Sequence, residues 1–311
     1  MRGRLEDATP GLQPAGSCSP SNPMTKPRRV IVALTTDEHG GHILGLCSPD
    51  TELEREGPNR TIQKYHPQLT ATQEWLWNAR MEDVAAVEAL AGRDEIIVFD
   101  LGDPVQGVAF PKELVSTRQS DQYEIAHKNK LPLLSLKNVR RAFFVKGTGV
   151  HEFGEGSAQK VIAERLAATL GKPVEVMYHA EAGVDGFVMD LAHHGPPPGV
   201  RNWLQGNVLR LYTQSIMDDC LKSDQEPPNF LARGHYHQFV TEVVTRQNAK
   251  TWECRATICP SYCLIDDYAR KVAKSPYRVT VGMIALEIVG GRLVQQHEFK
   301  RTIDFRTRIE L

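Results

Sequence analysis

Apolar residues in this sequence occur in short unbroken runs, separated by longer stretches with helical spacing. Three of the runs, at residues 30–34, 96–99 and 142–145, are typical of strands buried on both faces of a sheet. Two more, at 186–191 and 230–232, continue the series further along the chain. Because strand-like runs alternate with helix-like segments, the pattern predicts an α/β core.

The helix-like segments carry sequence signals for their ends. Thr70 and Gln73 form a capping box at the start of the first helix, and Gly92 stands where a glycine commonly ends one. Residues 42–67 are polar and interrupted by prolines, and we expect a loop there. Further helices are expected over about residues 112–138, from Ser157 to Gly171, and around the apolar positions Leu209, Tyr212, Ile216 and Cys220.

The last third of the chain has a different pattern of polar and apolar residues. Residues 240–244, 251–258, 278–288 and 292–299 alternate between polar and apolar, and Gly290-Gly291 is a two-residue hairpin signal. This pattern predicts antiparallel strands added to the α/β core, within one domain spanning 29–311 whose part from about 240 to 311 is rich in β-structure. Residues 1–28 contain five prolines and no periodicity, so we expect a disordered tail.

Composition and charge restrict the class of protein. The 311 residues are 41% hydrophobic and 24% charged, as in ordinary globular domains. A net charge of −1 gives no indication of binding to nucleic acid or to an anionic membrane. No apolar run is long enough to cross a membrane, so no membrane association is expected.

The cysteines and the N-terminus predict a reducing cytoplasm. Six cysteines in a chain of this length do not form a disulfide framework. Cys254, Cys259 and Cys263 are expected to be reduced thiols in a β-rich core or hairpin rather than a metal site. The first residues lack the apolar segment of a signal peptide, because Glu6 and Asp7 follow directly.

Candidate chemistry appears where the strand-like runs end. Asp37-x-His39 and His235-x-His237 each place two side chains on one side of an extended backbone. The ends of strands in an open α/β sheet form its binding edge, so these clusters can converge. Carboxylates and imidazoles without thiolates suit a hard or borderline metal ion. Seven of the eleven histidines lie in or beside these clusters: His39, His42, His151, His193, His194, His235 and His237.

Each cluster taken alone has an ordinary structural explanation. A single D-x-H is usually a solvated turn, and Asp103 could be an Asx-turn residue or a helix cap. His193 and His194 could be one buried, hydrogen-bonded histidine beside an exposed one. The occurrence of such a cluster after five separate strand-like runs favours a metal site over five independent coincidences.

The order of these motifs resembles the calcineurin-like metallophosphoesterase superfamily. The motifs are D-x-H, G-D, a third motif with a histidine, H-H-G and G-H-x-H, over about residues 29–240. The forms G-D-x-V-Q-G and G-T-x-x-H are most similar to phage and prophage members. The resemblance implies a four-layer αββα sandwich of two mixed sheets flanked by helices, with a two-metal site at the strand ends.

The resemblance also implies a role for each residue of the site. Asp103 would bridge the two metal ions, and His151 would be the general acid. Thr148 stands where the family's third motif has an asparagine ligand, so it would be a weak ligand of the second metal, with Glu152 or Glu155 as compensating groups. The first metal would be bound by Asp37, His39 and His237, and the second by His235 and by His193, with His194 as the alternative.

The implied activity is hydrolysis of phosphomonoesters or phosphodiesters by a metal-activated water. Mn is the expected metal by family habit, and Fe, Zn, Co or Ni also suit such ligands. The substrate would be a nucleotide, a nucleic acid or a phosphoprotein. The alternatives are a DNA or RNA nuclease of the same superfamily and a non-catalytic protein-binding scaffold with a degenerate metal site.

Two basic clusters could either bind phosphate or form ordinary solvated surface. We expect both clusters to be solvated surface. A metallo-β-lactamase-type hydrolase is excluded because its H-x-H-x-D-H cluster is absent. The basic residues are Arg55, Arg60 and Lys64 in one cluster and Lys137, Arg140, Arg141 and Lys146 in the other.

Overall fold

The computed structural model of the protein describes residues 26–153, 157–199, 204–265, 278–307 and 309–310. Residues 1–25 of the expected tail lie outside the described residues, while Arg28 at its end forms ion pairs with Glu95 and Asp185. Within the described part, the chain forms thirteen strands and four α-helices. The helices are α1 (Ala71–Ala91), α2 (Gln119–Leu134), α3 (Ser157–Leu170) and α4 (Asn207–Lys222). The strands are β1 (Arg29–Thr35), β2 (Leu53–Glu56), β3 (Ile62–Tyr65), β4 (Glu95–Asp100), β5 (Val139–Val145), β6 (Val174–Met177), β7 (Ala180–Val184), β8 (Phe187–Ala192), β9 (Phe230–Arg233), β10 (Val240–Gln247), β11 (Thr251–Ile258), β12 (Arg278–Val289) and β13 (Arg292–Asp304).

The larger sheet has six strands in the order β13-β12-β1-β4-β5-β6. The four strands from β1 to β6 in this order are parallel, as the unbroken apolar runs require when both faces of a sheet are covered. β12 pairs antiparallel with β1, and β13 pairs antiparallel with β12. The predicted hairpin at Gly290-Gly291 and the predicted antiparallel addition are thereby confirmed.

A second sheet has five strands in the order β10-β11-β9-β8-β7. Its centre is parallel, from β8 through β9 to β11, and its two edge strands are antiparallel to their neighbours. The β-rich C-terminal part is divided between the sheets, because β10 and β11 belong to this one while β12 and β13 belong to the other.

The two sheets pack face to face, and helices cover their outer faces. Val32 and Phe99 from the first sheet share one buried cluster with Met189 and Phe230 from the second. The opposite face of the six-stranded sheet packs against α1, α2 and α3, while Leu209 of α4 packs on the outer face of the five-stranded sheet. The molecule is therefore a mixed α/β sandwich in which two sheets lie between layers of helix, as predicted.

The prediction of a loop over residues 42–67 is wrong for the central part of this segment. Strands β2 and β3 pair there as a two-stranded antiparallel sheet. The turn between them contains Asn59 with a φ of 58° and Arg60 with a φ of 59°, in the left-handed region. The prolines that suggested an irregular loop flank this small hairpin or lie in its turn, so they do not interrupt its ladder. The apolar pattern also does not predict strands β6 and β7.

The predicted helices are present, with α2 shorter than expected. The stretch at 112–138 contains a 3-10 turn at Pro111–Glu113 and then α2, which has Pro132 in its last turn. Helix α3 is followed by Gly171 with a φ of 63°, the left-handed conformation that commonly ends a helix. None of the helices in the described residues is long and apolar enough to cross a membrane.

The cap of α1 matches the sequence prediction and provides a stability test. The backbone N–H of Gln73 donates to the Thr70 hydroxyl over 3.1 Å, and the Thr70 N–H donates to the Gln73 side chain over 3.0 Å. Thr70→Ala removes the acceptor for an otherwise unpaired helix N–H, so we expect it to lower the free energy of unfolding by about 1 kcal/mol. Chemical denaturation measures this, with Thr70→Ser as the control that keeps the cap. An alanine variant as stable as the wild type would contradict the assignment.

Five cysteines in the described residues are free thiols, in agreement with the sequence prediction. Cys254, Cys259 and Cys263 are buried, and burial raises the pKa of Cys254 to about 12. Cys18 lies outside the described residues. Burial therefore keeps the thiols of Cys47, Cys254 and Cys259 neutral at ordinary pH. None of the five described thiols belongs to a group that could hold a metal ion.

Candidate metal centre

The predicted ligands come together at the carboxyl ends of five strands from both sheets. Loops after β1, β4 and β5 bring Asp37, His39, Asp103, Thr148 and His151, and loops after β8 and β9 bring the remaining histidines. Backbone hydrogen bonds join the loops: the Asp37 N–H donates to Gly102 and the His39 N–H to the Asp103 carbonyl, over 2.9 and 3.0 Å. Because the two sheets are packed together, one edge of the sandwich collects all five motifs.

The ligand atoms fall into four overlapping groups. Within each group, the candidate nitrogen and oxygen atoms all lie within 4.8 Å of one another. Every aspartate and histidine ligand expected from the sequence belongs to at least one group, so these clusters could hold a metal ion. The groups are Asp37–His39–His237, Asp37–Asp103–His193, His39–Asp103–His151 and His193–His194–His235.

The backbone of this centre is held in an unusual conformation. Nine non-glycine residues of the described chain have a positive φ, and five of them belong to the site. Such conformations cost about 1–3 kcal/mol each and persist where the surrounding structure enforces them. Their concentration here indicates that the loops are shaped for a purpose other than stability. The five are Asp37, His39, Asp103, His235 and His237, with φ between 45° and 76°.

Two glycines are required by close packing inside the centre. A Cβ atom on Gly147 would collide with the Asp103 carboxylate, and one on Gly234 would collide with the Thr36 hydroxyl and approach Asp37. The sequence motifs contain glycine at these positions because the backbone passes directly against ligand side chains. This is the structural reason for the G-T and G-H forms of the motifs.

Hydrogen bonds fix which nitrogen faces the centre in His39, His193 and His237. The Nδ1 atoms of His193 and His237 donate to the carbonyl oxygens of Leu101 and Cys263, over 2.7 and 3.0 Å. Nδ1 of His39 donates to the side-chain oxygen of Gln106 over 2.8 Å. Since carbonyl oxygens only accept, the proton of a neutral imidazole lies on Nδ1, and Nε2 carries the free lone pair. Metal-binding histidines are commonly oriented by such outer contacts.

Three buried polar atoms in the centre have no hydrogen-bond partner among the described residues. They are Oδ1 of Asp37, Nε2 of His39 and Oδ2 of Asp103. Buried polar atoms without a partner are unfavourable, and native structures rarely keep them without a reason. A cation among these atoms would satisfy all three, so the residues present fit a bound metal.

The electrostatics of the centre also favour positive charge. Burial lowers the pKa of His193, but the carboxylates of Asp103 and Asp37 outweigh it and raise that pKa to about 9. Burial raises the pKa of Asp103, and the charge of His193 overcomes it and lowers that pKa to about 2. The pKa of Asp37 lies well below its usual value for the same reasons. Two ionised carboxylates thus draw positive charge into a buried place, which is what a divalent cation supplies.

Thr148 lies between the carboxylates and the second set of histidines. Its N–H donates to Oδ1 of Asp103 over 2.7 Å. Its hydroxyl oxygen lies 3.1 Å from Nε2 of His193 and 3.3 Å from both Nε2 of His194 and Nδ1 of His235. The hydroxyl therefore lies beside all three histidines of the second set.

His193 and His194 are both within reach of the second set. His193 is buried and belongs to two of the four groups, whereas His194 is exposed and belongs to one. Of the two glutamates considered as compensating groups, Glu152 belongs to none of the groups, and Glu155 lies outside the described residues.

The structure adds Gln106 to the residues that contact the candidate ligands, and it places His42 outside the ligand groups. Gln106 contacts His39 through its side chain, and its backbone carbonyl accepts from Nδ1 of His151 over 2.7 Å. The sequence feature that could have identified Gln106 is its position in the G-D-x-V-Q-G motif. His42 lies beside the clustered histidines in the sequence, but its Nδ1 accepts the Leu44 N–H over 3.0 Å, and it belongs to none of the groups.

Most residues of the two basic clusters lie away from the candidate ligands. Lys146 is the exception, because it directly precedes the loop of Gly147 and Thr148. Arg140 and Arg141 are on the first half of β5, whereas the loop with the candidate ligands follows its last residue. Asn138, just before β5, donates to the Gly92 carbonyl at the amino ends of the strands, away from the candidate ligands. Arg55 and Lys64 lie on the β2–β3 hairpin, where Lys64 pairs with Glu52. These positions favour the solvated-surface explanation for most of the basic residues.

Comparison with known proteins adds no family to this description. No protein-family model matches the chain, and no curated protein matches it. The geometry therefore provides a conclusion at one level only: buried aspartate and histidine clusters at one edge of a mixed α/β sandwich could hold a metal ion.

Proposed function

We propose that the protein is a metal-dependent phosphoesterase with a calcineurin-like fold and a two-metal centre. The observation that carries the proposal is the convergence of five strand ends on four overlapping groups of aspartate and histidine ligands. The order of the sequence motifs and the stacking of two sheets between helices also support it. The ligand groups contain carboxylates and imidazoles and no thiolates. Such ligands suit Mn, Fe, Zn, Co or Ni, and Mn is the expected ion.

Two of the ligand groups share Asp37, and two share Asp103. Asp37, His39 and His237 would hold one cation, and His193 with His235 would hold the other, assisted by His194 or Thr148. Asp103 would lie between the two cations, since it is grouped with residues from both sets. The chemistry that two divalent cations supply is a lower pKa of water and neutralisation of charge on phosphate oxygens.

His151 would protonate the leaving group of the ester. Its ring lies 4.5 Å from that of His39 in an edge-on arrangement, and its Nδ1 is occupied by the Gln106 carbonyl. Nε2 is therefore the atom that would carry the transferred proton. Burial lowers the pKa of His151 to about 4, so the imidazole is neutral before substrate binds. The negative charge of a phosphate ester placed beside it would favour the protonated form.

Metal analysis combined with two substrates tests the proposal. Protein purified without chelator should contain about two metal ions per chain and should hydrolyse a generic phosphomonoester or phosphodiester faster when Mn²⁺ is added. Removal of the metal with a chelator should abolish turnover and lower the melting temperature, because a ligand that binds the folded state stabilises it. The preferred ester separates phosphatase activity from nuclease-type activity.

A protein-binding scaffold is the second candidate, and Thr148 is the observation that favours it. A threonine hydroxyl is a poorer ligand than the asparagine amide of the family's third motif, so the second cation would be held less firmly. Protein that contains no metal and hydrolyses neither ester would support the scaffold. Protein with one metal and measurable turnover would show a weakened second position in an active enzyme.

A further inference from the structure

Four charged side chains lie fully buried directly behind the metal centre. Glu38 is 0% exposed and stands between Asp37 and His39 in the sequence, and Asp100 is 0% exposed at the end of β4. Arg80 from α1 and Lys130 from α2 reach them from the helical layer and are 0% and 2% exposed. We call Glu38, Arg80, Asp100 and Lys130 the buried quartet. Its two positive and two negative charges balance.

The contacts of the quartet connect two ligand-bearing loops. Lys130 Nζ lies 2.9 Å from Oε1 of Glu38 and also pairs with Oδ2 of Asp100. Asp100 in turn accepts the Gly102 N–H over 3.2 Å, one residue before Asp103. A single ammonium group thus joins the loop of Asp37 and His39 to the loop of Asp103.

Arg80 fixes the same loop from the other side. Its guanidinium lies 3.3 Å from Oε1 of Glu38 and donates to the Thr35 hydroxyl over 3.1 Å at the end of β1. It also lies 4.8 Å from the centre of the Tyr262 ring, whose backbone N–H donates to the Asp37 carbonyl over 3.2 Å. All three of these groups are next to the Asp37 loop in the sequence or hydrogen-bonded to it.

Fold stability alone does not account for this arrangement. Taking four charges out of water is unfavourable, and well-packed apolar side chains at such positions are often equally stable or more stable. The quartet lies where the two ligand loops leave the larger sheet rather than elsewhere in the helical layer. Outer contacts of this kind hold ligands in place and typically change metal affinity 10–100-fold when removed.

We propose that the buried quartet is a positioning device for the metal centre, in which Lys130 sets the separation between Asp103 and the Asp37–His39 loop. This inference rests on the proposed function, because it assumes that these side chains are metal ligands. None of the four is proposed to touch substrate. Their effect would be transmitted through the loops they join.

The test compares Mn²⁺ binding in Lys130→Met and Glu38→Gln with the wild-type full chain. Calorimetric titration of metal-free protein should give Mn²⁺ affinity about 10–100-fold weaker in both variants. The increase in melting temperature caused by Mn²⁺ should shrink correspondingly. Arg29→Met is the matched control: Arg29 pairs with Asp94 and Glu287 at the other end of β1. It should lower the melting temperature without changing Mn²⁺ affinity.

The outcomes separate this inference from the proposed function. Folded Lys130→Met and Glu38→Gln proteins that bind Mn²⁺ as tightly as the wild type would overturn the positioning role and leave the phosphoesterase proposal standing. If Lys130→Met does not fold, Glu38→Gln carries the same comparison, because it keeps the size of the side chain. Wild type that binds Mn²⁺ and hydrolyses neither ester would overturn the activity, while the affinities would still decide the positioning role.

Discussion

Asp103→Asn is expected to reduce metal-dependent ester hydrolysis by about 10³-fold or more. Asp103 is buried, and its two carboxylate oxygens make different contacts. Oδ1 accepts the Thr148 N–H. Oδ2 lies 3.0 Å from Nε2 of His193 but has no well-aligned hydrogen-bond donor among the described residues. Asparagine keeps the shape of the side chain but removes the charge that would be shared by two cations. Both metal content and turnover should therefore fall.

Asp185→Asn is the matched control for this substitution. Asp185 also has a positive φ, 49° against 53° for Asp103, and asparagine tolerates that conformation. It pairs with Arg28 and does not belong to any of the ligand groups. Elemental analysis and initial rates should show losses for Asp103→Asn alone. Nearly normal turnover with two metals bound would refute the bridging role of Asp103.

The ligand-bearing strand ends could be predicted because their signals are local. A buried strand such as β1 must be apolar without interruption, so the first polar residues after Leu34 mark its end. The capping box of α1 is equally local, and the structure contains both of its hydrogen bonds. Parallel strands end at a common edge, so the convergence of Asp37 and Asp103 follows from their places after β1 and β4.

Other features depend on contacts that the sequence pattern does not contain. The strands β2 and β3 have four residues each and are mostly exposed, so neither shows the apolar run that identifies a buried strand. The partners of the imidazoles are mostly backbone carbonyls, such as Leu101 and Cys263, which any residue type could provide. The pairing of Glu38 with Lys130 is set by how α2 packs on the sheet, and hydrophobic periodicity does not specify it.

His151→Gln is expected to lower turnover by about 10²–10⁴-fold while leaving the metal content unchanged. His151 lies next to His39, and its Nδ1 is held by the Gln106 carbonyl, so Nε2 is the only nitrogen available for proton transfer. Glutamine can keep a polar contact with Gln106 but cannot deliver a proton to a departing alkoxide. Rate constants for a series of esters should show the largest loss for the poorest leaving groups. The loss should be small for an activated aryl ester, whose leaving group needs no proton.

The control for this substitution is His66→Gln. Nδ1 of His66 donates to the Thr51 carbonyl over 2.8 Å, which reproduces the hydrogen bond of His151 at a position outside the ligand groups. It should change neither turnover nor metal content. Because His151 is also grouped with His39 and Asp103, the competing explanation is that it is a metal ligand. A His151→Gln protein that loses a metal ion, and loses rate equally for good and poor leaving groups, would establish that explanation and refute the general-acid role.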